Sequence, residues 1–121
     1  VSAFADADSM APLRIWEGVS GRAIDSERLT LALIELEAYA QVPEHSHDNE
    51  QLGFLLRGSL SFRIGEERRE LELGAMWRIG ADVPHDVVAG PQGALVVEAF
   101  APARTDWDSL PRDAPAPVRW R

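Results

Sequence analysis

The sequence predicts an all-β fold, a small single-domain β-barrel or double-sheet jelly roll. Leu60, Phe62 and Ile64 alternate with Ser61 and Arg63, the period-2 pattern of a half-buried strand. A second alternation follows, with Arg69, Leu71 and Leu73 set between Glu70 and Glu72. Glycine turns separate these short runs at near-regular spacing, which is the signature of a sandwich or barrel.

Taken in order, residues 1–11 are small and polar and read as a loose leader, and the barrel itself spans 12–104. Asp25–Glu37 fits either a helix or a turn plus a strand. The second reading is adopted, because Leu29–Leu36 (LTLALIEL) suits a strand apolar on both faces. Gln51–Arg57 is the next strand, and Gly58-Ser59 ends it before Leu60–Ile64. Gly65-Glu66 forms a turn, and Gly74 breaks the chain before Met76–Ile79. Two short strands follow, around Val87-Val88 and Ala94–Phe100, divided by Gly90-Pro91 and Gly93. Residues 105–121 form a proline-rich tail in which Trp107 and Trp120 imply packing against the barrel or a partner. Trp77 reads as core or barrel lining, and Arg57 and Arg63 as members of a solvated strand face rather than anion contacts inside the barrel.

The composition narrows the function. The chain has 121 residues, no cysteine and a formal net charge of −8. Disulfides, thiolate catalysis and cysteine–zinc sites are excluded. The acidic balance opposes nucleic acid and acidic membrane surfaces as partners. The N-terminus lacks the basic start and apolar middle of a signal peptide, and no apolar run is long enough to span a bilayer. A cytoplasmic protein is expected.

The chain carries three histidines: His45, His47 and His85. His45 and His47 stand at i and i+2, which in an extended segment aims both imidazoles to one side. Gln51 lies four residues beyond and offers a side-chain oxygen, and His85 follows in the turn segment Asp82-Val83-Pro84-His85. Imidazole suits zinc, copper, iron and nickel, so these four residues are candidate ligands of one divalent ion. Glu50 competes with Gln51.

The segment PEHSHDNEQLGFLLRG, residues 43–58, resembles the first motif of the cupin superfamily: H-x-H, three or four residues, a carboxylate or glutamine, six residues and a glycine. The second cupin motif places a glycine eleven residues before a histidine, as Gly74 and His85 do here. The likeness covers roughly residues 12–104. It departs at Tyr39, where the family has a glycine, and at Gly80, Asp82 and Ala89, where it has proline, glycine and asparagine. These positions concern turn shape rather than ligands. The resemblance implies a metal-binding barrel holding zinc, nickel, manganese or iron at His45, His47, Gln51 and His85.

Glu98 is a lone charge in the strand GALVVEAFA, residues 93–101. Such a carboxylate either points outward or is buried with a raised pKa, and on the residues alone the outward reading is favoured. Phe100 shares its face, and Arg104 stands just beyond, able to clamp an anion bidentately. The run E-A-F-A-P-A-R resembles cupins of the uronate-ketonising, pectin-degradation type, whose last strand reads D-x-F-x-x-x-R. That resemblance implies catalytic roles for Glu98, Phe100 and Arg104, with Glu in place of Asp.

The function expected is metal-dependent tautomerisation of an unsaturated uronate, a small anionic sugar acid, to its linear keto form. Rivals are a metal-dependent dioxygenase and a non-enzymatic small-molecule-binding cupin. Small cupins often pair, and Leu29–Leu36 has a second apolar face to cover, so a homodimer is expected.

Overall fold

The structure is a computed structural model that describes residues 2–121; Val1 lies outside the described residues. Its strands are β1 (Leu13–Trp16), β2 (Val19–Asp25), β3 (Thr30–Leu36), β4 (Gln41–His45), β5 (Glu50–Ile64), β6 (Glu67–Leu71), β7 (Met76–Ile79) and β8 (His85–Ala101). The pairings are antiparallel, and the sheet runs β1-β2-β3-β8-β5-β6, with β4 added to β8 and β7 to β5.

Two long strands organise everything else. β5 has 15 residues and β8 has 17, and they pair along most of their lengths. The first part of β5 and the last part of β8 join β3 and β7 in one layer. The last part of β5 and the first part of β8 join β4 and β6 in a second. The result is the double-sheet jelly roll the sequence predicts. Between the layers lie Ile34, Leu60, Phe62, Ile79 and Val96, among others.

The expected breaks at Gly58-Ser59 and Gly90–Gly93 are instead bends within continuous strands. The register shifts between Leu55 and Arg57 and again between Gly58 and Leu60, so pairing lapses at Ser59 and residues 90–93 and resumes as the two strands pass together into the other layer. Glycine is required at the crossing. Gly58 has φ +81° and faces Gly93 at φ +71°, and a Cβ at 58 would overlap the Gly93 carbonyl. Gly58→Ala is therefore expected to cost about 2–4 kcal/mol, combining left-handed strain with overpacking. Urea unfolding checks this, and a loss below about 0.5 kcal/mol, the range of an ordinary surface change, would contradict it.

Three strands had no clear sequence signal. β1 and β2 form the outer end of the first layer, and Gly21 of β2 is small because Ile15 packs where a Cβ would stand. β4 contains Pro43 and pairs with β8 through Gln41, Val42 and His45. The turn-plus-strand reading of Asp25–Glu37 holds, with β3 beginning at Thr30.

The ends of the chain are fastened to each other. The leader is largely exposed, but it is tied at Asp8, which accepts hydrogen bonds from the Val118 backbone N–H at 2.7 Å and the Trp120 indole at 3.2 Å. The looseness expected of residues 1–11 is corrected here: a carboxylate fixed by a single 3-10 turn, Ala7–Ser9, meets donors from the far end of the chain. The tail also forms a short 3-10 turn, Thr105–Ser109, which buries Trp107 in the core. Arg57 holds the Arg119 and Gln92 carbonyls, and Arg63 pairs with Asp86 at 2.7 Å and with Glu44. Neither arginine lines the interior cavity.

Candidate metal centre and its cavity

A cavity of about 250 Å³ opens between the two layers, and its walls are mainly apolar. The three histidines converge on it, their candidate ligand nitrogens all within 4.8 Å of one another. Strand pairing brings them together. His45 ends β4 directly opposite His85, the first residue of β8, and His47 follows two residues on. The ring centroids of His45 and His85 are 4.3 Å apart, and those of His47 and His85 are 5.0 Å apart.

Each ring is held in one tautomer. His45 Nδ1 lies 2.9 Å from the Pro43 carbonyl, His47 Nδ1 3.0 Å from the Asn49 carbonyl, and His85 Nδ1 2.9 Å from the Val83 carbonyl. A carbonyl oxygen only accepts, so each Nδ1 carries the proton and donates it. In the neutral ring this leaves Nε2 with its lone pair, the arrangement metal-binding histidines use. Burial keeps two of the rings neutral. It is the main cause that lowers His85 to about 4, against the Val83 hydrogen bond and with help from the neighbouring histidines. His47 is also lowered, first by burial and then by the Arg104 charge.

Gln51, near the start of β5, completes the set from the opposite layer. Its amide nitrogen donates to Glu98 Oε2, while its Oε1 is buried without a partner. His47 Nε2 is likewise buried and unpartnered. Two orphaned acceptors beside two further imidazoles are what a cation would satisfy, and their chemistry fits a borderline divalent ion. Glu50 is exposed and turned away, so the structure brings Gln51 rather than Glu50 to the cluster.

Glu98 points inward. The outward orientation favoured on the residues alone is corrected: Glu98 pairs with Gly53 across β5 and β8, on the same face as Phe100 and Gln51. Its relative exposure is 7%, and burial raises its pKa against the opposing hydrogen bonds from Gln51 and Trp77. The Trp77 indole donates to Oε2 at 3.1 Å, and the Gln51 bond ends on the same oxygen.

Phe100 and Arg104 also line the cavity. The Arg104 guanidinium stacks on Phe100 at 4.8 Å and on Trp107 at 4.5 Å. Arg104 is not a free clamp, however. Its fork is filled by Asp106, with Nε to Oδ1 at 3.0 Å and Nη2 to Oδ2 at 2.9 Å. These bonds from Arg104 hold the Asp106 carboxyl below its usual range.

One participant escaped the sequence reading: Asp106 is two residues from Arg104 in a turn, and that spacing was an available signal. Trp77, read as core or barrel lining, is both, but its bond to Glu98 depends on a register of β7 the sequence does not announce.

With this geometry in view, the comparisons are informative. The Cupin domain family model matches residues 32–99. The pectin degradation protein KdgF of Dickeya dadantii (strain 3937) is 26% identical over 93 residues, covering 75% of this chain and 84% of that protein. The structure of KdgF from Halomonas sp. superposes with a TM-score of 0.79 at 20% identity, covering 88% of this chain and 98% of that one. An RmlC-like cupin from Shewanella frigidimarina gives a TM-score of 0.82 at 20% identity, covering 88% of this chain and 96% of that one. The two structural likenesses concern the fold.

Proposed function

This chain belongs to the cupin family, and on that premise we propose that it is a metal-dependent isomerase that converts a ring-form unsaturated uronate to its linear keto acid. The observation that carries the reading is a buried carboxyl, Glu98, lining the same cavity as three inward-facing imidazoles and the Gln51 amide. The similarity to the pectin degradation protein KdgF supports the substrate class.

His45, His47, His85 and Gln51 would hold the cation. When bound there, it supplies Lewis-acid polarisation of substrate oxygens, unbalanced by any charge on these four ligands. Ring opening and ketonisation move a proton from oxygen to carbon, with no net gain or loss of atoms and no redox partner. Glu98 relays that proton. Both of its hydrogen bonds end on Oε2, which leaves Oε1 to take and return it. Phe100 packs on the carbon skeleton. Arg104 binds the substrate carboxylate, which must exchange with Asp106 for the guanidinium fork. The Asp106 side chain is 62% exposed, so the displaced carboxylate passes into water.

The test begins with elemental analysis of untagged protein, followed by a spectrophotometric assay on freshly generated unsaturated uronate. Loss of the conjugated double bond faster than the spontaneous rate supports the reading. Oxygen consumption without that loss would favour a dioxygenase, and tight ligand binding without turnover would favour a binding module. The metal itself has a separate readout. Added Zn²⁺ at 100 times its Kd should stabilise the fold by about 2.7 kcal/mol through mass action. His85→Ala should abolish the rise in Tm, and a metal-independent Tm in the wild type would refute the site.

The chain also forms a homodimer in this reading. Ile24, Leu31, Ala99 and Leu52 lie side by side across β2, β3, β8 and β5 on the outer face of the first layer. Ile24 is 41%, Leu31 52% and Leu52 60% exposed. This apolar row ends at Arg78, which pairs with Leu52, and Met76 lies exposed two residues along the same face of β7; an apolar surface of this kind suits an isologous contact with a second copy. Leu31→Glu should turn a sedimenting dimer into a folded monomer. A monomeric wild type at micromolar concentration would exclude the dimer.

A further inference from the structure

We propose that Glu98 and Trp77 are positioning residues for the cation, acting through Gln51: together they fix the Gln51 amide so that its oxygen, not its nitrogen, faces the three imidazoles. This rests on the reading that the cluster holds a cation, but it concerns a different question. An amide has two ends of nearly equal size, and its –NH₂ end cannot serve as a ligand. Something must therefore choose between them.

The structure contains that choice. Glu98 Oε2 accepts from Gln51 Nε2, and a carboxylate oxygen in that role requires the amide nitrogen to point at it. Gln51 Oε1 is thereby turned the other way, buried and without a protein partner. The selecting oxygen is itself anchored. The Trp77 indole N–H donates to the same Oε2 at 3.1 Å, and Trp77 lies 9% exposed in the core with its ring 5.1 Å from Phe62. The ring can lie there because position 53, next along the inward face of β5, is glycine, and a Cβ at 53 would overlap the indole. A chain of contacts thus runs from the core through Trp77 and Glu98 to the ligand oxygen. Outer-shell hydrogen bonds of this type commonly set metal affinity by factors of about 10–100.

The arrangement separates two properties of Glu98. Proton relay needs an ionisable group, whereas amide selection needs an accepting oxygen. The experiment measures Zn²⁺ affinity by competition with a chromophoric chelator, with no substrate present. Glu98→Leu, which removes the acceptor, should weaken binding about 10–100-fold. Glu98→Gln keeps an accepting oxygen and should stay within about 3-fold of wild type. Trp77→Phe, a gentler change, should weaken binding to an intermediate degree. Thermal melts of the metal-free proteins establish that each variant folds, and Trp77→Phe decides the matter if Glu98→Leu does not. In the double-mutant cycle, Glu98→Leu should add little to Gln51→Ala, because its effect passes through Gln51.

Wild-type affinity in Glu98→Leu and Trp77→Phe would overturn the inference, as would full additivity with Gln51→Ala or a loss in Glu98→Gln equal to that in Glu98→Leu. If the wild-type protein itself binds no Zn²⁺, the metal reading fails first. If it binds zinc but turns over no uronate, this inference stands while the substrate assignment falls.

Discussion

Glu98→Gln is expected to lower turnover of an unsaturated uronate by about 10²–10⁴, the range a positioned proton relay supplies. The amide is close to the carboxyl in size and cannot carry a proton between oxygen and carbon. Its oxygen can still accept from Gln51 and Trp77, so the cavity wall keeps its shape. The loss should therefore fall on kcat, with KM little changed, which marks a contribution made in the transition state. Metal content and Tm should match wild type. The burial that raises the Glu98 pKa brings the group toward neutral pH, where an acid and base of this kind works best. Wild-type turnover in the purified variant would remove Glu98 from the reaction.

Much of this site was readable before the fold was known, for a physical reason. Metal ligation depends on residue type and close spacing, and the histidine pair at i and i+2 expresses both. The strand segments at Leu60–Ile64 and Arg69–Leu71 were readable because a sheet with one wet face imposes alternation on its residues. Where that pressure is absent, the signal fades. β2 mixes Gly21 and Ala23 inward with Arg22 outward, and at Arg22 its outward face is covered by the tail rather than by water. The glycines at 58 and 93 signalled irregular backbone correctly but not its kind, since a bulge inside a ladder and a turn between strands make the same demand on φ. The orientation of Glu98 was missed because a carboxylate in an apolar strand has two stable outcomes. Only the cross-strand partners Gly53 and Ala32 make room for the inward one. The bond between Arg104 and Asp106 shows the same dependence on neighbours: a free fork and a filled one have identical sequences up to the turn that follows.

The tail strap presents the second large effect. Glu35→Ala is expected to destabilise the fold by about 3–5 kcal/mol, because it strands a buried cation. Arg22 and Glu35 pair at 2.6 Å with side-chain exposures of 3% and 7%, on the outward face of β2 and β3. That face would be wet were it not for residues 116–119, which cross it and bury Val118. Arg22 donates to the Ala116 carbonyl at 2.8 Å, and Arg119 reaches Glu35 at 3.3 Å, so the pair fastens the tail as well as the strands. Without Glu35, Arg22 retains one good acceptor, and its Nε already has none. The guanidinium can regain water only if the strap lifts, which exposes Val118 and loosens the Asp8 bond to its backbone. The midpoint of urea unfolding should fall, and the C-terminal segment should become sensitive to protease under native conditions. Replacing both partners, Arg22→Met with Glu35→Leu, should recover most of the loss, since apolar residues of similar volume need no charge partner. If the single variant loses less than about 1 kcal/mol, the range of an exposed ion pair, the strap does not exclude water from the pair. If the double variant fares no better than the single, the ion pair itself, rather than relief from an unpaired charge, holds the strap in place.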